Sequence, residues 1–166
     1  WLNTADSDVY KFMRYFTFLT VAEIDAIEAK DRASGTKPEA QRILAEEATA
    51  LVHGQAALEA AQRISHSLFS GELAALTEGD LEQLAQDGVP GVTLDKSATS
   101  LNDAHAASGL AKSKSEARPF TQGGSVAING HKAEALDHAF SDAERLFGRF
   151  TLLKRGKKNY AMICWN

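Results

Sequence analysis

Cysteine, proline and metal-binding patterns are scarce in this chain, and each shortage excludes something. A single cysteine, Cys164, in 166 residues cannot form an internal disulfide, so a disulfide framework is ruled out. The five histidines (53, 66, 105, 131 and 138) show no metal-ligand spacing with that cysteine, which argues against a structural zinc. No run approaches the roughly 20 apolar residues of a membrane span, and no charged start leads into an apolar stretch, so neither a membrane nor a secretory address is visible. A cytoplasmic location follows by default. No Gly-rich turn between a strand and a helix offers a phosphate cradle, and no paired carboxylates mark an acid–base site. Basic residues are also scarce, but only in one half. Residues 1–104 hold eight bases against seventeen acids, whereas residues 105–166 hold ten bases against five acids. A local surplus of Lys and Arg is the electrostatic footprint of a phosphate-backbone partner.

The hydrophobic pattern divides the chain at nearly the same place. Val9, Phe12, Met13 and Phe16 follow the spacing of one helical face, and Thr20 to Glu23 is spaced like a capping box before the stripe Val21, Ile24, Ile27. Thr36 to Glu39 predicts a further start, with Pro38 in the first turn, for a helix burying Ala40, Leu44, Ala48, Leu51 and Val52 and ended by Gly54. A fourth helix carries Ala57, Ala61, Ile64 and Leu68 to Ser70-Gly71, and a shorter one runs from Glu78 to Asp87. Turn formers then cluster from Asp87 to Ser100. These signals predict a helical domain at 1–90, a flexible linker at 91–100 and a second domain at 101–166.

The second domain mixes both periods. Two short helices are predicted at 101–108 and 113–122, the latter opened by the capping-box spacing Ser113 to Glu116 and closed by Gly123-Gly124. Asn129-Gly130 between two short apolar runs is a strong hairpin signal. A second hairpin pairs Phe150–Leu153 with Tyr160–Trp165 across the nearly all-basic tip Arg155-Gly-Lys-Lys-Asn159. The basic set Lys112, Lys114, Arg118, Lys132, Arg149, Lys154, Arg155, Lys157 and Lys158 is suited to pair with phosphates, giving affinity blind to sequence and steep in salt. Cys164 in the last strand reads as an inert, half-buried thiol. His53 suits the negative end of a helix dipole.

These residues carry a resemblance. Gly109-Leu-Ala-Lys-Ser-Lys-Ser-Glu-Ala-Arg118 and Gln122-Gly-Gly-Ser-Val-Ala-Ile-Asn-Gly130 resemble the small RNA-binding domain named after ribosomal protein S-four, in which two helices and a short sheet present one basic face. Arg145-Leu-Phe-Gly-Arg-Phe-Thr-Leu-Leu-Lys-Arg-Gly-Lys-Lys-Asn-Tyr160 through Trp165 narrows the resemblance further. With Leu44-Ala-Glu-Glu47, Leu51-Val-His-Gly54, Asn3-Thr-Ala-Asp-Ser-Asp-Val-Tyr10 and Phe16-Thr-Phe18, it makes essentially the whole chain similar to the carboxyl-terminal part of bacterial tyrosyl-tRNA synthetase. The resemblance implies an α+β class: an all-α anticodon-binding domain followed by a small α+β, alpha-L type, S-four-like domain.

By the same resemblance the partner is tyrosine tRNA, held at its anticodon region and long variable arm. ATP and tyrosine would bind a catalytic domain preceding Trp1. Trp1-Leu2-Asn3-Thr4 has no initiator Met, and the chain reads as a fragment that is inactive alone, needs no cofactor or metal, and is monomeric although the parent is a homodimer. Lys112-Ser-Lys-Ser115 superficially matches the lysine-serine loop of class I synthetases, but it opens a helix with no nucleotide fold before it. The resemblance places the start of the first helix next to the anticodon, where a carboxylate accepts hydrogen bonds from a guanine edge. Asp8 is the first choice and Asp6 the second, although either also suits a helix cap. Tyr10, Tyr15, Phe16 and Phe18 suit base stacking or a core. Pro119, where the family continues with a base, predicts a kinked or shortened helix. A stand-alone S-four-type protein acting on ribosomal RNA would share residues 101–133 but not the helical body.

Overall fold

The computed structural model describes residues 1–35, 38–96, 100–133, 135 and 137–166. They fall into two compact units, Trp1–Gln62 and Arg63–Asn166.

The first unit is helical: α1 (Val9–Phe16), α2 (Val21–Ser34), α3 (Ala40–His53) and the opening turns of α4 (Gln55–Ser70). The apolar stripes meet in a core of Val9, Met13, Ile24, Ala40 and Leu44, flanked by Tyr10, Phe12, Leu19, Ile27 and Ile43. Thr20 forms the expected capping box, its hydroxyl accepting from the Glu23 N–H while the Glu23 carboxylate accepts from the Thr20 N–H at 2.7 Å. The capping box predicted at Thr36 to Glu39 lies partly outside the described residues. The start of α3 is satisfied by Asp31, a buried carboxylate from α2 that accepts from the backbone N–H groups of Glu39 (2.9 Å) and Ala40 (3.1 Å) and from the Tyr10 hydroxyl (3.0 Å). This cap is long-range. Leu51 and Val52, predicted as buried, are exposed, because the core built with α1 and α2 takes in only the first turns of α3. Ala61 is exposed as well.

The second unit contains the end of α4, α5 (Glu78–Gln83), β1 (Gly91–Leu94), α6 (Leu101–Ala107), α7 (Lys114–Gln122), β2 (Val126–Ile128), β3 (His131–Lys132), β4 (Phe150–Arg155) and β5 (Asn159–Trp165). The strands form one mixed sheet in the order β1-β5-β4-β2-β3, with β1 parallel to β5 and the other pairs antiparallel. Residues 91–94, expected in a linker, are therefore an edge strand, held by backbone pairing to the chain's last strand. The helix predicted to Asp87 ends at Gln83 and continues as a π turn, Leu84–Gly88.

Both faces of the sheet are covered, which explains the unbroken apolar run 161–165. Leu153, Val126, Ile128, Ala161, Ile163 and Trp165 pack with Leu101 and Ala104 of α6. Phe150, Leu152 and Met162 pack with Ile64, Leu73, Leu76, Leu81 and Leu84. The fold is α+β, as expected. Asn129 and Gly130 both have positive φ (48° and 87°), the type I′ geometry that matches the twist of the flanking strands. Gly130 is also required by space, since a Cβ there would lie 2.2 Å from the Gly71 carbonyl oxygen. Pro119 does not shorten α7, which runs on to Gln122. Its ring sits past the first turn, where it costs an intrahelical hydrogen bond, and the helix still continues for three residues beyond it.

Candidate nucleic-acid interface

The β4–β5 turn lifts four bases to one end of the sheet. Strand alternation sends Lys154 to one face and Arg155 to the other. Each head is held over an aromatic ring: the Lys154 ammonium lies 5.1 Å from the centre of its cross-strand partner Tyr160, and the Arg155 guanidinium 4.7 Å from that of Phe120 on α7. Lys157 and Lys158 are exposed at the tip. The Gly156 N–H donates to the Ser125 carbonyl at 2.7 Å, which pins the tip to the start of β2. Arg155, Lys158 and Asn159 help line a groove of about 430 Å³ whose other wall includes Ser108, Gly109 and Leu110 from the α6–α7 turn.

Helix α7 supplies the next bases. The Ser113 hydroxyl accepts from the Glu116 N–H, but the Glu116 carboxylate reaches back to the Lys112 N–H, one residue beyond a regular capping box. Lys112, Lys114 and Arg118 are exposed, and Lys114 forms an ion pair with Asp103. Hydrogen bonds from Lys114 and Ser100 hold the Asp103 carboxyl below its ordinary range. Lys132 on β3 is exposed and shares a sheet row with Lys154 through Ala127.

Arg149 is not brought to this group. It precedes β4 at the end opposite the tip, about 16 Å of strand away. There it bridges Glu78 and Glu82 of α5, each at 2.8 Å, with its guanidinium 4.9 Å from the Phe150 ring centre. The two carboxylates push its pKa up and occupy its charge. Arg145 is likewise internal, paired with Asp142, donating to the Phe140 carbonyl at 2.9 Å and stacked over Trp165.

In the first unit, Asp8 is exposed and its side chain caps nothing, although it stands at the cap position of α1. Asp6 accepts from the Gln41 amide at 2.6 Å. Of these two carboxylates, Asp8 alone is left open among the described residues. Tyr10 is tied to Asp31, and burial together with that hydrogen bond and charge raises its pKa to about 12. Tyr15, Phe16 and Phe18 are exposed, Phe18 to 87%. Trp1, Phe12 and Phe16 form a cluster of ring contacts with Tyr15 at its edge. Among the described residues no three His, Cys, Asp or Glu side chains are placed to hold a metal ion, and no helix is long and apolar enough to cross a membrane.

Residues 80–163 match the family described as the tyrosine–tRNA ligase SYY-like C-terminal domain. The chain belongs to that family. Residues 1–70 match a second family, the class I tRNA synthetases for tryptophan and tyrosine. Similar relatives include the tyrosine–tRNA ligases of Dechloromonas aromatica (73% identical), Chromobacterium violaceum (64%) and Klebsiella pneumoniae (53%), each aligned over 99% of this chain. The chain spans 38–39% of the length of these relatives. The solution structure of a tyrosyl-tRNA synthetase C-terminal domain is 34% identical over 59% of this chain and 98% of its own, with a TM-score of 0.47.

The SYY-like domain hides supports for its basic tip that the sequence reading missed. Phe120 carries Arg155 over its ring and also meets the buried His105 ring edge-on at 6.1 Å. Burial, reinforced by the Arg155 charge, pushes the His105 pKa down, so the ring is neutral and adds no positive charge beneath the guanidinium. Tyr160 anchors the second face, its hydroxyl donating to the Leu68 carbonyl at 2.8 Å. The signal for Tyr160 was available, since the hairpin register pairs it with Lys154. None marked Phe120, which meets Arg155 only through the fold.

Proposed function

We propose that this chain is the tRNA-binding region of a tyrosine–tRNA ligase, gripping the backbone of tyrosine tRNA with residues 101–166 and reading the anticodon with the helical unit. The observation that carries this reading is the exposed tip Lys157-Lys158, flanked by ring-supported Lys154 and Arg155, in a chain of the SYY-like C-terminal family. Lys112, Lys114, Arg118 and Lys132 extend the set. Their contacts position the RNA without reading it. Asp8 supplies the reading group, an exposed carboxylate able to accept from a guanine edge, and the exposed Tyr15, Phe16 and Phe18 offer faces for splayed bases. Attachment of tyrosine with ATP is the reaction of such a ligase as a whole.

The test is binding of the chain to tyrosine tRNA, to the same tRNA with a changed anticodon, and to a tRNA with a short variable arm, each over a range of salt. Tyrosine tRNA binds best, and the anticodon change costs about 1–3 kcal/mol, the worth of one lost base contact. Equal binding of all three would reduce the site to a generic RNA grip and remove Asp8 from recognition.

A further inference from the structure

The last turn of α4 carries a feature that the phosphate grip leaves unused. Phe69 is 91% exposed, more than any other large apolar residue described. It borders a small cavity of about 110 Å³, lined also by Ser67, Gly71, Gly130, Lys154 and Tyr160. Ser67 in its wall is 99% buried, and its hydroxyl has no hydrogen-bond partner among the described residues. A buried hydroxyl without a partner is costly unless something completes it. Gly71 and Gly130 pack backbone to backbone beneath, and Tyr160 is fixed by its bond to Leu68, so the floor is rigid. No acidic side chain lines the cavity among the described residues, and Lys154 brings a positive charge to it. The space is far too narrow for a helix, which is about 10 Å across, yet it suits one planar ring beside an anion.

We infer that Phe69 and this cavity form a stacking site for one unpaired nucleotide of the bound RNA. The base lies on the Phe69 ring, and Lys154 meets its phosphate. The inference rests on the RNA-binding reading above and extends the interface from the β4–β5 tip to the end of α4. Ring stacking tolerates any base, so the site adds affinity for unpaired RNA without adding sequence preference.

Replacing Phe69 with Ala tests this on the full 166-residue chain, with tyrosine tRNA and a blunt RNA duplex lacking unpaired bases as the two probes. The variant binds the tRNA about 5- to 150-fold more weakly, the worth of one base stack, and binds the duplex as before. The slope of log affinity against log salt stays the same, because no phosphate contact is lost. Phe69→Leu, apolar but without a ring, shows the same loss, and Phe69→Trp restores binding. If Phe69→Ala binds tRNA normally, or weakens both probes equally, while Lys157→Ala still weakens both, the stacking site is wrong and the RNA grip stands. If the unaltered chain binds neither probe, both readings fall.

Discussion

Replacing Lys157 and Lys158 together by Ala tests the phosphate grip quantitatively. Both side chains are exposed and lie on a turn, so their removal leaves the hairpin ladder and both sheet cores intact. Each phosphate contact contributes about 0.7 to 0.9 to the slope of log affinity against log salt. Losing two contacts flattens the slope by about 1.4–1.8 and, if the salt-independent part is unchanged at 1 M, weakens binding about 25- to 60-fold at 0.1 M salt. Arg149→Ala is the internal control: it is also a lost base in the same domain, but its charge is held by Glu78 and Glu82. It lowers the melting temperature and leaves the salt slope alone. The assay is a fluorescence titration of tyrosine tRNA at five or six salt concentrations. A parallel shift of the line for the double variant, or a flattened slope for Arg149→Ala, would refute the assignment of contacts.

Other consequences follow from the buried polar groups. Asp31→Ala removes three hydrogen bonds to a buried carboxylate and opens the start of α3, costing about 3–5 kcal/mol in urea unfolding. In Asp31→Asn, the Tyr10 phenol titrates nearer its ordinary value than the wild-type 12 or so, followed by ultraviolet absorbance. Burial raises the Asp80 carboxyl, but bonds from Arg63 (2.9 and 3.2 Å) and Thr77 outweigh it and hold the pKa below its ordinary value. Its stability is therefore full above the ordinary carboxylate range near pH 4 and is lost as pH falls through the lower folded value. Asp80→Asn makes the acid side of the unfolding profile flatter. His105, neutral and buried with a lowered pKa, contributes stability that is full above about pH 6.5 and declines below it, because the unfolded ring takes up a proton first. His105→Leu removes that decline below about pH 6.5, measured by thermal melts.

Local chemistry was legible in the sequence, and long-range pairing was not. Thr20 and Glu23 cap a helix three residues apart, and Asn129-Gly130 can only make a tight turn, so both were readable from their own neighbourhood. The parallel pairing of β1 with β5 joins residues about seventy positions apart and has no local signature, so residues 91–94 read as linker. Arg149 looked free beside the basic tip because the two glutamates that bind it come from a helix far earlier in the chain. Periodicity named the faces of α1 and α3 correctly but could not say how far a partner covers them, which is why Phe16, Leu51 and Val52 are exposed. The basic composition of residues 105–166 was plain. Its sorting into free, ring-supported and ion-paired members required the fold.

The most direct measurement is amide hydrogen exchange of the chain with and without tyrosine tRNA. Added protection is expected at residues 108–118 and 154–160, with no change at 78–83 around the Arg149 clasp. Protection centred on 78–83, or none at the β4–β5 tip, would contradict it.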